Sequence, residues 1–184
     1  LYDVASLTKI LSTIPLLMEL VENGTVTLDT PLSTLLKTYR NTNKDQITIK
    51  EMLSHYAKLR PWIPFYMSTI DSITKKPQNL YYKYERSEHF NIKVANNLFL
   101  KTDYRDTIQK TIKDSDLLER LRYRYSDLPY YILKEYIEDH YDEGLDLLVQ
   151  EHFYKSLGAN LTTYNPLKKF SQSQIIPSEI DDYF

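Results

Sequence analysis

Leu1-Tyr2-Asp3-Val4-Ala5-Ser6-Leu7-Thr8-Lys9 runs directly into Ile10, Leu11, Ile14, Leu17, Met18 and Val21. From Leu7 onward the apolar residues recur at three- and four-residue intervals, the spacing of one helical face, so residues 6–22 read as a buried helix. Ser6 and Lys9 stand one turn apart on that helix, where a hydroxyl and an amine can meet without help from the rest of the fold. The helix N-terminus places partial positive charge beside the hydroxyl. Lys9 could take the hydroxyl proton if burial lowers its pKa toward neutral. Serine is equally a common helix cap, and spacing alone leaves both readings open.

Working outward, Pro15 should bend this helix or interrupt one hydrogen bond, and Asn23-Gly24 ends it. Residues 25–28 alternate like a short strand, and Asp29-Thr30-Pro31 caps a shorter helix reaching about Tyr39. Thr48, with Glu51 three residues on, forms a capping box for a helix over 49–59. Residues 61–100 mix prolines with aromatic and β-branched residues and predict one or two short strands. Further helices are predicted over 102–120, 128–140 and 145–157, with Gly144 and Gly158 as punctuation. Residues 165–184, with Pro166 and Pro177, read as loop.

With 184 residues, 42% hydrophobic and 26% charged at a net charge of −2, the chain fits an ordinary globular domain and argues against a basic nucleic-acid binder. No apolar run approaches the roughly 18 residues needed to span a bilayer. The reactive-looking segment already sits at Ser6, so the sequence reads as an internal stretch of a longer protein. The absence of cysteine removes disulfides and thiolate metal sites but leaves the compartment open. Only three glycines occur, and no phosphate-cradling G-x-G-x-x-G or Walker pattern, which excludes the common nucleotide-binding loops. His55, His89, His140 and His152 form no close pair with metal-ligand spacing. No cofactor is expected.

A second candidate is Tyr125-Ser126-Asp127, ahead of the apolar helix at Leu128. A tyrosine in such a loop can shuttle protons if an ammonium stabilises its phenolate. Neither motif is specific alone. Ser72-Ile73-Thr74-Lys75 repeats the first spacing in front of Lys76-Pro77, a solvated breaker, and Tyr39-Arg40-Asn41 and Tyr104-Arg105-Asp106 resemble the second. With 17 tyrosines, most must be packed rings with a hydroxyl at the surface. Tyr81, Tyr82 and Tyr84 could stack on sugars, although packing or an interface accounts for them as well.

Taken in order, Val4 to Lys9, Glu22 to Leu32, Ile47 to His55 and Tyr125 to Asp127 resemble the serine beta-lactamase and penicillin-binding protein (DD-peptidase) family, and within it the class C-like serine hydrolases. The resemblance implies an α+β fold, a helical cluster against an antiparallel sheet. This chain would be the mainly α part with a few short strands: residues 1–184 as a partial domain, residues 61–120 as an insertion, and the flanking sheet strands missing at both ends.

The resemblance also implies a serine hydrolase acting through an acyl-enzyme on an amide or ester of a small molecule or cell-wall peptide. Ser6 would be the nucleophile, Lys9 its activating base, Tyr125 the residue passing the proton to the leaving group, and Asp127 a substrate-binding position. The family usually has asparagine where Asp127 stands. Aspartate cannot donate to a substrate carbonyl, and its charge would raise the pKa of Lys9. His55 falls in the family's Leu-Ser-His stretch and reads as structural. The third family motif, a Lys or His with a small residue and glycine on a strand, has no match after Tyr125; Lys155-Ser156-Leu157-Gly158 has the wrong spacing. That strand would supply the second N–H of the oxyanion hole, whose loss costs about a hundredfold or more in rate, so these residues alone are expected to turn over little. Other expectations from the resemblance are a periplasmic or extracellular location and possible attachment to a family 3 glycoside hydrolase, in which case a catalytically silent interaction domain is the alternative reading.

Overall fold

The computed structural model describes residues 1–178. Helix α1 covers residues 7–22 and contains a wide π-type turn at Lys9–Thr13 before regular helix resumes at Ile14–Glu22. Pro15 accounts for the local change. It has no N–H to offer the Leu11 carbonyl four residues back. That carbonyl instead accepts the Tyr154 hydroxyl at 2.8 Å, while the Ile14 N–H reaches back to Lys9, the longer span of a π turn.

This wide turn corrects the burial expected for α1. In a regular helix Ile10 and Leu17, seven residues apart, share a face; the π turn adds one residue and rotates them apart by about 100°. Leu17 is 2% exposed, whereas Ile10 is 57% and Leu7 56% exposed. The buried face is Leu16, Leu17 and Leu20, with Ser12 and Thr13 also buried.

The strand expected at 25–28 does not form. Thr27 N–H turns onto the Thr30 hydroxyl at 2.9 Å and the Leu28 carbonyl accepts from Lys50 N–H at 2.8 Å, so neither group joins a ladder. Helix α2 is Leu32–Leu35, followed by a 3-10 turn at Lys37–Tyr39. Helix α3 is Ile49–Leu53, opened by the expected Thr48/Glu51 capping box. It ends six residues before the expected 59. The His55 N–H bonds to the Met52 carbonyl at 3.3 Å and the Tyr56 N–H to the Glu51 carbonyl at 2.9 Å. This is a Schellman termination, with His55 at φ +61° in the left-handed position that glycine usually fills.

The next segment holds three strands rather than one or two: β1 Tyr82–Lys83, β2 Phe90–Ala95 and β3 Leu98–Lys101, antiparallel in the order β1-β3-β2. Helix α4, Tyr104–Asp114, is shorter at its C-terminal end than the sequence predicts. There the fully buried Lys44 donates to the Lys113 carbonyl at 2.9 Å, to the Ser115 carbonyl and to Asn43 Oδ1 at 2.8 Å. A cation suits the negative end of a helix.

Helix α5 is Leu128–Tyr141 and α6 is Leu145–Val149, continued by a second π turn at Gln150–Tyr154. Leu16, Leu17 and Leu20 of α1 share one core with Ile132, Leu133 and Ile137 of α5 and Leu148 and Val149 of α6. The architecture is therefore mainly helical with a small antiparallel sheet. The tail carries 3-10 turns at Pro166–Lys168 and Gln172–Gln174, and the part of the expected loop beyond 178 lies outside the described residues.

Candidate active site

Ser6 sits where the chain bends into α1. Ala5 adopts φ +44°, a left-handed value that costs an alanine strain, and Asp3 Oδ1 accepts its N–H at 2.7 Å. Lys9 Nζ donates to Ser6 Oγ at 2.9 Å, as the spacing predicts. The same ammonium lies 2.7 Å from Asp127 Oδ1, 5.2 Å from the Tyr125 ring centre and 5.4 Å from that of Tyr130. Two aromatic faces and a carboxylate thus surround one cation.

Asp127 and Tyr125 reach Lys9 because their loop is fastened to the segment after α3. Ser126, 1% exposed, donates its hydroxyl to the Arg60 carbonyl at 2.6 Å and accepts Leu128 N–H at 3.2 Å. Asp127 N–H bonds the Pro61 carbonyl at 2.8 Å, and Arg124 N–H bonds the His55 carbonyl at 2.9 Å. An open cleft of about 400 Å³ results, lined by Ser6, Lys9, His55, Tyr125 and Tyr130, with Leu7 and Ile10 along its apolar wall.

The charges within it decide which way the Lys9 pKa moves. Burial does act to lower the Lys9 pKa, but hydrogen bonds and charge from Asp127 and then Tyr125 outweigh it, and the net shift is upward from 10.5. Lys9 is an ammonium at neutral pH. The Tyr125 phenol moves the other way: hydrogen bonds from Lys9 and Ser6, and then the Lys9 charge, hold it below its usual 10 against burial and Asp127. Burial and the Lys9 charge push His55 below 6.5 despite Asp127, so its ring is neutral at pH 7. Such an arrangement can hold a hydroxyl next to a phenolate-ammonium pair.

Ser6, Lys9, Tyr125 and Asp127 therefore converge, and the look-alike motifs do not. Tyr39 is buried, the Tyr104 hydroxyl donates to the Phe65 carbonyl at 2.7 Å, and Lys155 pairs with Glu151 at 2.5 Å. Asp71 Oδ1 organises the turn at Ile73 and Thr74, leaving Lys75 left-handed in an exposed loop. Tyr130 was not legible as a cleft residue; its only signal is a position one turn into α5 from Tyr125. Among the described residues no group of three His, Cys, Asp or Glu could hold a metal ion, and no helix is long and apolar enough to cross a membrane.

The helical cluster and small antiparallel sheet have the beta-lactamase/transpeptidase-like fold. Residues 1–173 match the model of the family described as Beta-lactamase, and the chain belongs to that family. It is 30% identical over 183 residues to a Salmonella gallinarum protein with the provisional name D-alanyl-D-alanine carboxypeptidase, covering 98% of this chain and 38% of that one. It is 26% identical over 187 residues to the N-acetylmuramyl-L-alanine amidase of Bacillus subtilis, covering 97% of this chain and 37% of that one. The chain thus spans less than two fifths of the length of these relatives. Among solved structures it resembles the octameric penicillin-binding protein homologue from Pyrococcus abyssi, with a TM-score of 0.60 at 18% identity over 95% of this chain and 35% of that one. A class C beta-lactamase from Rhodobacter sphaeroides gives a TM-score of 0.56 at 15% identity, over 85% of this chain and 35% of that one. These two likenesses are of fold.

Proposed function

We propose that the protein is a serine hydrolase of the DD-peptidase and esterase type, with Ser6 as the residue that becomes acylated. The single observation carrying this reading is the convergence of Ser6, Lys9 and Tyr125 in one cleft. Tyr125, as phenolate, takes the Ser6 proton while Oγ bonds to the carbonyl carbon of an amide or ester. The proton then passes from Tyr125 to the leaving nitrogen or oxygen as its bond to carbon breaks, and water releases the acyl group by the reverse relay. The opposite pKa directions of Lys9 and Tyr125 favour Tyr125 as base and Lys9 as the cation that stabilises it. Cell-wall peptides are the proposed substrate class, in keeping with the names of the curated relatives.

A fluorescent penicillin or fluorophosphonate should label the full-length protein, and Ser6→Ala should abolish the label. Persistent labelling of Ser6→Ala would move the nucleophile elsewhere. A catalytically silent domain is favoured by one observation, the Asp127 carboxylate on Lys9; its attachment to a glycoside hydrolase rests on the sequence resemblance alone. Wild-type protein that takes no label with either probe would select this second reading.

A further inference from the structure

His55 was read from the sequence as structural, yet it lies in the cleft. Its ring centre is 4.5 Å from that of Tyr125, with the planes tilted by 43°. More telling are its two polar contacts. The His55 carbonyl accepts Arg124 N–H at 2.9 Å, and its Nδ1 accepts Ser126 N–H at 3.2 Å. The residues on either side of Tyr125 are thus both fastened to His55, by its main chain and its side chain.

We infer that His55 is a positioning residue for Tyr125, a clamp that holds the two flanking amides so that the phenol stays beside Ser6 and Lys9. The inference rests on the reading of Tyr125 as the proton-transferring group.

Three features make histidine fit the task. At φ +61° it terminates α3 in a left-handed conformation, which histidine, asparagine and aspartate enter more readily than most side chains. That conformation turns both its carbonyl and its ring toward the tyrosine loop. The ring must also be neutral, with Nδ1 unprotonated, to accept the Ser126 N–H. Burial and the adjacent Lys9 charge favour that neutral form, against the opposing pull of Asp127; Tyr123, Tyr125 and Tyr130 are the other titratable side chains against the ring. A glycine at 55 would terminate the helix equally well but would leave Ser126 N–H without its acceptor.

The test compares substitutions that separate shape from acceptor. His55→Asn keeps a short side-chain acceptor and tolerates positive φ; His55→Gly keeps only the helix end. Tyrosine ring carbons labelled with ¹³C allow the Tyr125 signal to be assigned by its loss in Tyr125→Phe, and its titration can then be followed without any substrate. The expected result is that His55→Gly moves the Tyr125 titration upward toward that of an ordinary tyrosine and removes amide-exchange protection at Ser126, while His55→Asn retains both. Labelling of Ser6 should slow about ten- to a hundredfold in His55→Gly, through the rate of the chemical step rather than probe affinity, and recover in His55→Asn.

Unchanged Tyr125 titration and Ser126 protection in His55→Gly would overturn the inference, as would His55→Asn behaving like His55→Gly. If His55→Gly does not fold, His55→Gln, whose acceptor sits one bond further out, replaces it with the same two outcomes. A protein whose Tyr125 titration responds as expected but which never labels would sink the hydrolase reading while leaving the clamp standing.

Discussion

Lys9 Nζ lies 2.7 Å from Asp127 Oδ1, closer than its 2.9 Å contact with Ser6 Oγ, so the cation beside the serine is shared with a carboxylate. Asparagine at 127 would keep the shape, discharge the pair and offer an N–H₂ group to a substrate carbonyl. Asp127→Asn should therefore lower the Lys9 pKa and speed labelling of Ser6 by about tenfold, the worth of one good hydrogen bond. Slower labelling in Asp127→Asn would show that the carboxylate assists the reaction.

Tyr125 sets the expected pH dependence. If its phenolate is the base, the labelling rate should rise with pH toward a Tyr125 pKa below 10, then fall once pH passes the Lys9 pKa above 10.5. Tyr125→Phe should lose about a hundredfold or more and flatten the rising limb. A rising limb that survives in Tyr125→Phe would assign it to another group.

His55 links the loop to acid. Its folded pKa lies below the unfolded 6.5, so the stability it contributes is complete above pH 6.5 and is lost as pH falls through the folded value. Amide exchange at Ser126, corrected for intrinsic rates, should lose protection over that acidic range before the α1 and α5 core amides do. Loss of both sets together would mean global unfolding instead.

Lys44 anchors the end of α4 from within the protein. Lys44→Ala takes the donor from the Lys113 carbonyl, leaves the Ser115 carbonyl with Asn43 Nδ2 at 3.1 Å, and opens a cavity where its methylenes were. The expected loss is about 2–4 kcal/mol in urea unfolding.

The Tyr154 hydroxyl supplies the hydrogen bond that Pro15 cannot give Leu11. Tyr154→Phe should cost about 1 kcal/mol. In a Pro15→Ala background, where an amide can approach the Leu11 carbonyl, the penalty should shrink; equal penalties in both backgrounds would break the proposed link.

The parts of the fold most readable from sequence were those fixed by local chemistry. The Thr48/Glu51 capping box and the meeting of Ser6 with Lys9 depend on residues three apart and needed no tertiary information. Tyr125 was a candidate from its place in a loop ahead of an apolar helix, and the family resemblance singled it out from Tyr39 and Tyr104; the bonds from 124, 126 and 127 to residues 55–61 bring it to the cleft. The end of α3 was misread because the terminator is histidine rather than glycine. The burial of α1 was misread because a constant 3.6-residue period cannot register a π turn set by Pro15, whose stranded Leu11 carbonyl finds its partner, the Tyr154 hydroxyl, 143 residues away in sequence.

That wide turn works as a phase shifter. It lets Leu16, Leu17 and Leu20 keep their seat in the core while Ser6 and Lys9 point where a regular helix would not aim them. Winding the same residues as a regular helix would swing Ser6 and Lys9 by about 100° away from Tyr125, whereas excising a single residue from within 10–13 would remove the wide turn and leave the two faces in their present phase.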